Sequence, residues 1–177
     1  MGRLARVLGL AALALAVIGC GLGGGSKSET DLAADSLNRG LKAHNAGNYA
    51  EAQTAYFETL YHDTRNKFAF FNLGQIAQTQ KKSAIAEGYY RSALETDARF
   101  GPALYNLAII RAEAGAKTEA IDLYRRNIQV DPNNAAAYFN LGLLLRDTGN
   151  TSEANQMFAK AQQLDPKLVP PPSPSPR

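Results

Sequence analysis

The sequence predicts an all-α protein, a solenoid of four helical hairpins, and three observations carry that prediction. Residues 33–168 divide without gap or insertion into four units of 34, namely 33–66, 67–100, 101–134 and 135–168, and self-similarity at a period of this size marks stacked repeats. Within each unit apolar residues recur at helical spacing over about 13 positions and then over about 14 more, the pattern of two amphipathic helices. Between the two runs stands a break, occupied by Gly47, Gly115 or Gly149 in three of the units, where glycine ends one helix and frees the chain to turn.

Each position of the unit has a packing reason. The eighth is small (Gly40, Gly74, Ala108, Gly142), the twentieth is alanine (Ala52, Ala86, Ala120, Ala154), and the twenty-fourth is a ring (Tyr56, Tyr90, Tyr124, Phe158). Small residues on facing helices let their axes approach, and a ring fills the space that remains. Asn66 and Asn134 precede first helices and Asn48 and Asn150 precede second ones, so all four are expected as N-caps that accept an orphan amide hydrogen bond. Pro102 suits a first helical turn, and Asp131-Pro132 and Asp165-Pro166 end second helices.

On these residues the chain resembles the tetratricopeptide repeat, over all four units. The resemblance implies hairpins stacked into a right-handed superhelix, with the first helices lining its concave side. Position seven is Leu73, Leu107 and Leu141 but Arg39 in unit one, which predicts a looser first hairpin. Position 27, usually alanine in the repeat, is Thr59 and Asn127 in units one and three, and a buried Asn127 requires a partner. In the last unit position 28 turns from leucine or isoleucine to Gln162, and position 21 from Ile121 to Asn155. A terminal repeat needs such a polar outer face, so four units are expected to complete the array. Pro170 leaves no room for a further solvating helix.

The ends are of another kind. Residues 1–19 read as a targeting segment: Arg3 and Arg6 precede an apolar run from Val7 to Ile18, shorter than the roughly 20 residues a spanning helix needs. The following residues, "VIGC", resemble the lipobox of bacterial lipoproteins, which implies cleavage before Cys20 and lipidation of its thiol. An ordinary secretory signal with a buried thiol is the alternative, and with one cysteine in the chain no internal disulfide can form. Residues 20–32 form a flexible Gly/Ser-rich linker, and residues 169–177 a proline-rich tail suited to disorder or polyproline II. By the lipoprotein resemblance, Gly21 after the cysteine implies the inner leaflet of the outer membrane where the cell has two membranes. Without Arg3 and Arg6 the balance is 17 basic to 16 acidic residues, so the basic isoelectric point is no argument for nucleic acid.

The candidate site lies on the first helices. Positions 2, 5, 6, 9, 12 and 13 share a face, which the resemblance places in the concave groove. It carries Asn38 and Leu41 from unit one, Phe71, Asn72 and Gln75 from unit two, Tyr105, Asn106 and Ile109 from unit three, and Phe139, Asn140, Leu143 and Arg146 from unit four. A side-chain amide offers donors and acceptors to any peptide backbone, and a neighbouring ring adds apolar contact. An asparagine ladder that holds an extended peptide is therefore expected, against the alternative that asparagine and ring serve packing alone. His44 and Arg146 are the few candidate cations, so a neutral or apolar segment is the expected ligand. Phe57 and Tyr61 are assigned to ordinary core beneath Phe68, with an exposed convex patch as the alternative.

No catalytic constellation is visible. His44 and His62 lack metal-ligand spacing, no phosphate loop follows a strand, and Glu119 with Asp122 reads as solvated helix surface. No enzyme, cofactor or metal is expected. The reading is a membrane-anchored adaptor that binds a protein or peptide and helps assemble an envelope complex, with a weaker resemblance to the tetratricopeptide lipoproteins that pilot type IV pilus secretins. A self-associating scaffold, its groove filled by a neighbour's proline-rich tail, is the alternative.

Overall fold

The computed structural model describes residues 26–172. The expected signal peptide, Cys20 and the last five residues of the tail lie outside them. The described residues form eight helices and no strand: α1 (Glu29–Asn45), α2 (Tyr49–His62), α3 (Lys67–Thr79), α4 (Ser83–Thr96), α5 (Gly101–Glu113), α6 (Lys117–Val130), α7 (Ala135–Asp147) and α8 (Thr151–Leu164). Each odd helix pairs with the even helix after it, and each even helix packs on the first helix of the next hairpin. The fold is an all-α solenoid of four hairpins.

Position eight and position twenty-four meet as their sizes require. A Cβ added to Gly40 would stand 2.5 Å from the Tyr56 ring, one on Gly74 2.5 Å from Tyr90, and one on Gly142 2.7 Å from Phe158. Tyr56 and Tyr90 are fully buried, and burial pushes both hydroxyls up to about 12. Alanines 52, 86, 120 and 154, one turn before the ring on each second helix, are fully buried. One core cluster joins Tyr56 to Leu73 and Ile76, and a second runs from Ala77 and Tyr90 through Leu107 and Tyr124 to Phe158.

Two of the four expected caps form. Asn66 accepts from the Ala69 amide and Asn134 from that of Ala137, but Asn48 and Asn150 make no side-chain cap. The turn they occupy explains this. Gly47, at φ 78°, closes α1 with its amide on His44, while the Asn48 amide reaches the Ala43 carbonyl at 2.9 Å. This is the Schellman ending; it fixes Asn48 at ψ 66°, away from the extended geometry in which a capping side chain meets the next turn. The same turn recurs at Gly115 and Gly149 and, with no glycine, at Lys81, whose φ is 59°.

The first hairpin is not loose. α1 has 17 residues where α3, α5 and α7 have 13, and it starts at Glu29, inside the expected linker, because Ser28 and Asp31 form a reciprocal capping box. Arg39 is exposed and pairs with Glu58. Its counterparts Leu73, Leu107 and Leu141 are buried against the preceding hairpin, which unit one lacks. Thr59 and Asn127, the two departures at position 27, are both buried and both satisfied. Thr59 bonds the Ala55 carbonyl and stands 3.1 Å from the Ser36 hydroxyl. Asn127 donates to the Gly101 carbonyl at 2.8 Å and accepts from Asn134 at 3.1 Å. At the other end Asn155 is exposed and Gln162 half-buried, and no helix follows α8 among the described residues.

Candidate functional site

The face built by the first helices brings together part of the expected site. A cavity of about 340 Å³ lies between α3, α5 and the α6–α7 turn. Phe71, Gln75, Tyr105 and Asn106 line it, with Pro102, Asn127, Val130 and Asn134. The last three were missed as site residues: they sit on a second helix and its turn, and nothing in the helical period of the first helices points to them.

The rings at position five serve the hairpin and the groove at once. Phe71 packs 5.7 Å from Tyr90, Tyr105 5.9 Å from Tyr124, and Phe139 5.6 Å from Phe158, centroid to centroid. All three stay half-buried, as do Ile109 and Leu143, while Leu41 is exposed. Each hairpin therefore contributes some apolar contact area to the face, between its polar side chains.

The asparagine ladder is uneven. Asn38 is exposed on α1, where no preceding hairpin stands. Asn72 is buried and turns its NH₂ back on its own helix, donating to the Phe68 carbonyl at 2.7 Å, so that donor is spent within α3. Asn106 and Asn140 are half-buried and donate to tyrosine hydroxyls of the preceding hairpin, Asn106 to Tyr90 at 3.3 Å and Asn140 to Tyr105 at 3.2 Å. Their NH₂ groups thus join one repeat to the next. Their carbonyl oxygens make no hydrogen bond among the described residues, which leaves two acceptors on the groove for a peptide N–H.

The two candidate cations are spent. Tyr56 OH stands 3.3 Å from His44 Nδ1, and burial lowers the His44 pKa from 6.5, so the ring is neutral near pH 7. Arg146 lies over the Phe158 ring at 5.4 Å and donates to the Pro171 carbonyl at 2.6 Å. The start of the proline-rich tail therefore returns across α7 and occupies a residue assigned to the partner.

The second helices present a different surface. Glu119 is no isolated solvated carboxylate: it accepts from Arg91 and Arg111, each at 2.7 Å, and both arginines also bond Glu87. Burial pushes the Glu87 pKa up, but the two arginines outweigh it and hold the group below its ordinary value. At the next junction Arg125 pairs with Glu153 at 2.7 Å. At the first junction the expected core fails to form, and Phe57 and Tyr61 are 48% and 81% exposed. Phe68 is itself half exposed, drawn aside onto Phe100 at 5.5 Å. It leaves no cover for either ring.

Among the described residues no cluster of histidine, cysteine or acidic side chains could hold a metal, and no helix is long and apolar enough to cross a membrane.

Residues 109–149 match the family described as TPR repeat, and residues 135–168 match Tetratricopeptide repeat. Among solved structures the chain is similar to MamA, at 23% identity and a TM-score of 0.68, over 76% of this chain and 79% of that one. It is similar to Pseudomonas aeruginosa pilF at 24% identity and a TM-score of 0.69, over 80% of this chain and 66% of the other. A tetratricopeptide repeat protein from Parabacteroides merdae shares 23% identity at a TM-score of 0.67, over 77% of this chain and 55% of that one. No curated protein matches the chain. At these identities the likeness is one of fold: stacked helical hairpins.

Proposed function

We propose that the chain is a protein-binding adaptor that takes an extended, neutral or apolar segment on the face of its first helices. The observation that carries this reading is the cavity where Phe71, Gln75, Tyr105 and Asn106 converge. Half-buried rings supply contact area there, and the Asn106 carbonyl supplies an acceptor for a peptide N–H. The adaptor is anchored at Cys20, at the inner leaflet of the outer membrane in a cell with two membranes. There it serves the assembly of an envelope complex, of which the type IV pilus secretin is the example the sequence resemblance suggests.

A photo-crosslinking residue placed at Gln75 and, separately, at Arg125 on the second-helix face tests the groove in native envelopes. Adducts to a partner segment are expected from Gln75 alone. Adducts from Arg125 only, or from neither, would overturn it. The Arg146–Pro171 contact favours a second reading, in which the tail competes for the groove's last hairpin. Removal of residues 169–177 would then raise the yield at Gln75 and leave the oligomeric state unchanged, whereas a self-associating scaffold would lose its oligomer.

A further inference from the structure

The 34-residue register exposes a substitution of chemistry on the second-helix face. Phe57 stands where Arg91 and Arg125 stand in the next two units, and Ile85 where Glu119 and Glu153 stand. Tyr61 takes the place of Glu95, Gln129 and Gln163. The later junctions close these positions with ion pairs at 2.7 Å, so the stack tolerates charge there and gains by it. At the first junction the same lattice points are apolar and open to solvent, with Ile85 51% exposed. Large apolar side chains left half or fully open to solvent at points where charge fits form a patch of the kind that marks an interaction surface.

What covers them is indicated by where the tether leaves the fold. His62, next to Tyr61, donates to the Glu29 carboxylate at 2.6 Å, so the first turn of α1 and the Tyr61 end of the stripe lie together, while Ile85, in the first turn of α4, lies toward the other end of the helices. Ser28 is separated from Cys20 by seven residues, a chain too short to carry that end far from an anchored cysteine. Arg65, Lys81 and Lys82 flank Tyr61 and Ile85 in sequence, are exposed, and form no ion pair among the described residues. Of the acids beside Phe57 and Tyr61 in sequence, Glu58 pairs with Arg39, and Asp63 accepts from the Arg65 backbone and Asn66 side-chain amides. Aromatic and branched side chains with a cationic rim match an anionic bilayer surface, whose interface takes up amphipathic rings.

We propose that Phe57, Tyr61 and Ile85 dock the first two hairpins on the bilayer that holds the tether, which points the groove-bearing helices away from it. This rests on the Cys20 anchor proposed above. The chain has no tryptophan and one cysteine, which makes the test direct. The chain from Cys20 onward, carrying Tyr61→Trp or, as a distant control on α8, Ala159→Trp, is coupled through Cys20 to a maleimide phospholipid. The vesicles contain brominated phosphatidylcholine and phosphatidylglycerol. Quenching at the Tyr61→Trp reporter about threefold above the control is expected, and it should fall to the control level with Phe57→Gln and Ile85→Gln. Equal weak quenching of both reporters would overturn the docking. A concentration-dependent dimer of the uncoupled chain that Phe57→Gln abolishes would assign the stripe to a second copy and overturn it too. An unmodified Cys20 in chain recovered from cells would remove the anchor. That failure is distinguishable, because the vesicle assay supplies the anchor chemically.

Discussion

Tyr90 fills the space that a side chain on Gly74 would need: an added Cβ would stand 2.5 Å from ring carbon Cε1. The ring is fully buried and cannot retreat without disturbing the core it shares with Leu107. Replacing a helical glycine by alanine gains about 0.5–1 kcal/mol of backbone entropy, and overpacking a core costs about 1–3. The clash wins, so Gly74→Ala is expected to lower stability by about 1 kcal/mol. Gly88, within α4 and with nothing inside 4 Å of its would-be Cβ, is the opposite case, and Gly88→Ala should raise stability by about 0.5 kcal/mol. Urea unfolding of the two variants checks the sign of each.

Lys81 holds the left-handed turn that glycine holds in the other three hairpins. A non-glycine residue there costs about 1–2 kcal/mol, less the extra freedom glycine has when unfolded. Lys81→Gly should therefore stabilise the chain by about 0.5–1 kcal/mol, and a shift of the urea midpoint without a change of slope would show it.

Asn127 ties three elements, bonding the Gly101 carbonyl at the start of α5 and the Asn134 cap of α7 from within α6. Asn127→Ala removes both bonds, leaving the Gly101 carbonyl only its helical partner and the Asn134 side-chain NH₂ without its acceptor. The expected loss is about 1–3 kcal/mol. Hydrogen exchange should place the loss at the first turns of α5 and α7.

Alkali should loosen the stack. Burial raises Tyr56 and Tyr90 from 10.0 to about 12, so the unfolded chain releases these protons first. Their contribution is complete below pH 10 and disappears as pH rises through 12, at up to about 1.4 kcal/mol per pH unit for each tyrosine. Tyr90→Phe should flatten that decline while lowering stability near neutrality, since Gln78 and Asn106 lose their bonds to the hydroxyl. Thermal midpoints between pH 8 and about pH 12 measure both effects.

The hairpins and the glycine-to-ring contacts were legible because they repeat, and a period reports the average demand of the stack. The misreadings fall where a residue departs from that average. Asn72 carries the same amide as Asn106, but its rotamer turns it onto Phe68, and spacing carries no rotamer. Arg39 suggested a weak hairpin because the same position elsewhere touches a preceding neighbour, which unit one does not have. Phe57 and Tyr61 were assigned to core beneath Phe68, with an exposed patch as the alternative, although the register of Phe57 against Arg91 and Arg125, and of Tyr61 against Glu95 and Gln129, already placed them outward. Asn48 and Asn150 have the chemistry of caps but serve a Schellman turn that aims them elsewhere. The Arg146 contact with Pro171 joins the repeat to a segment outside its period, so the period could not announce it.

Each hairpin of this solenoid touches chiefly the ones before and after it. If one end is held by a tether and another part pulled by a bound segment, the load passes through the junctions in series, as through links of a chain, and yields at the weakest. The seam between α2 and α3, without the arginine–glutamate clasp that spans the next two, is that link. A tensile overload would thus shed the hairpin nearest the tether and leave the other three folded.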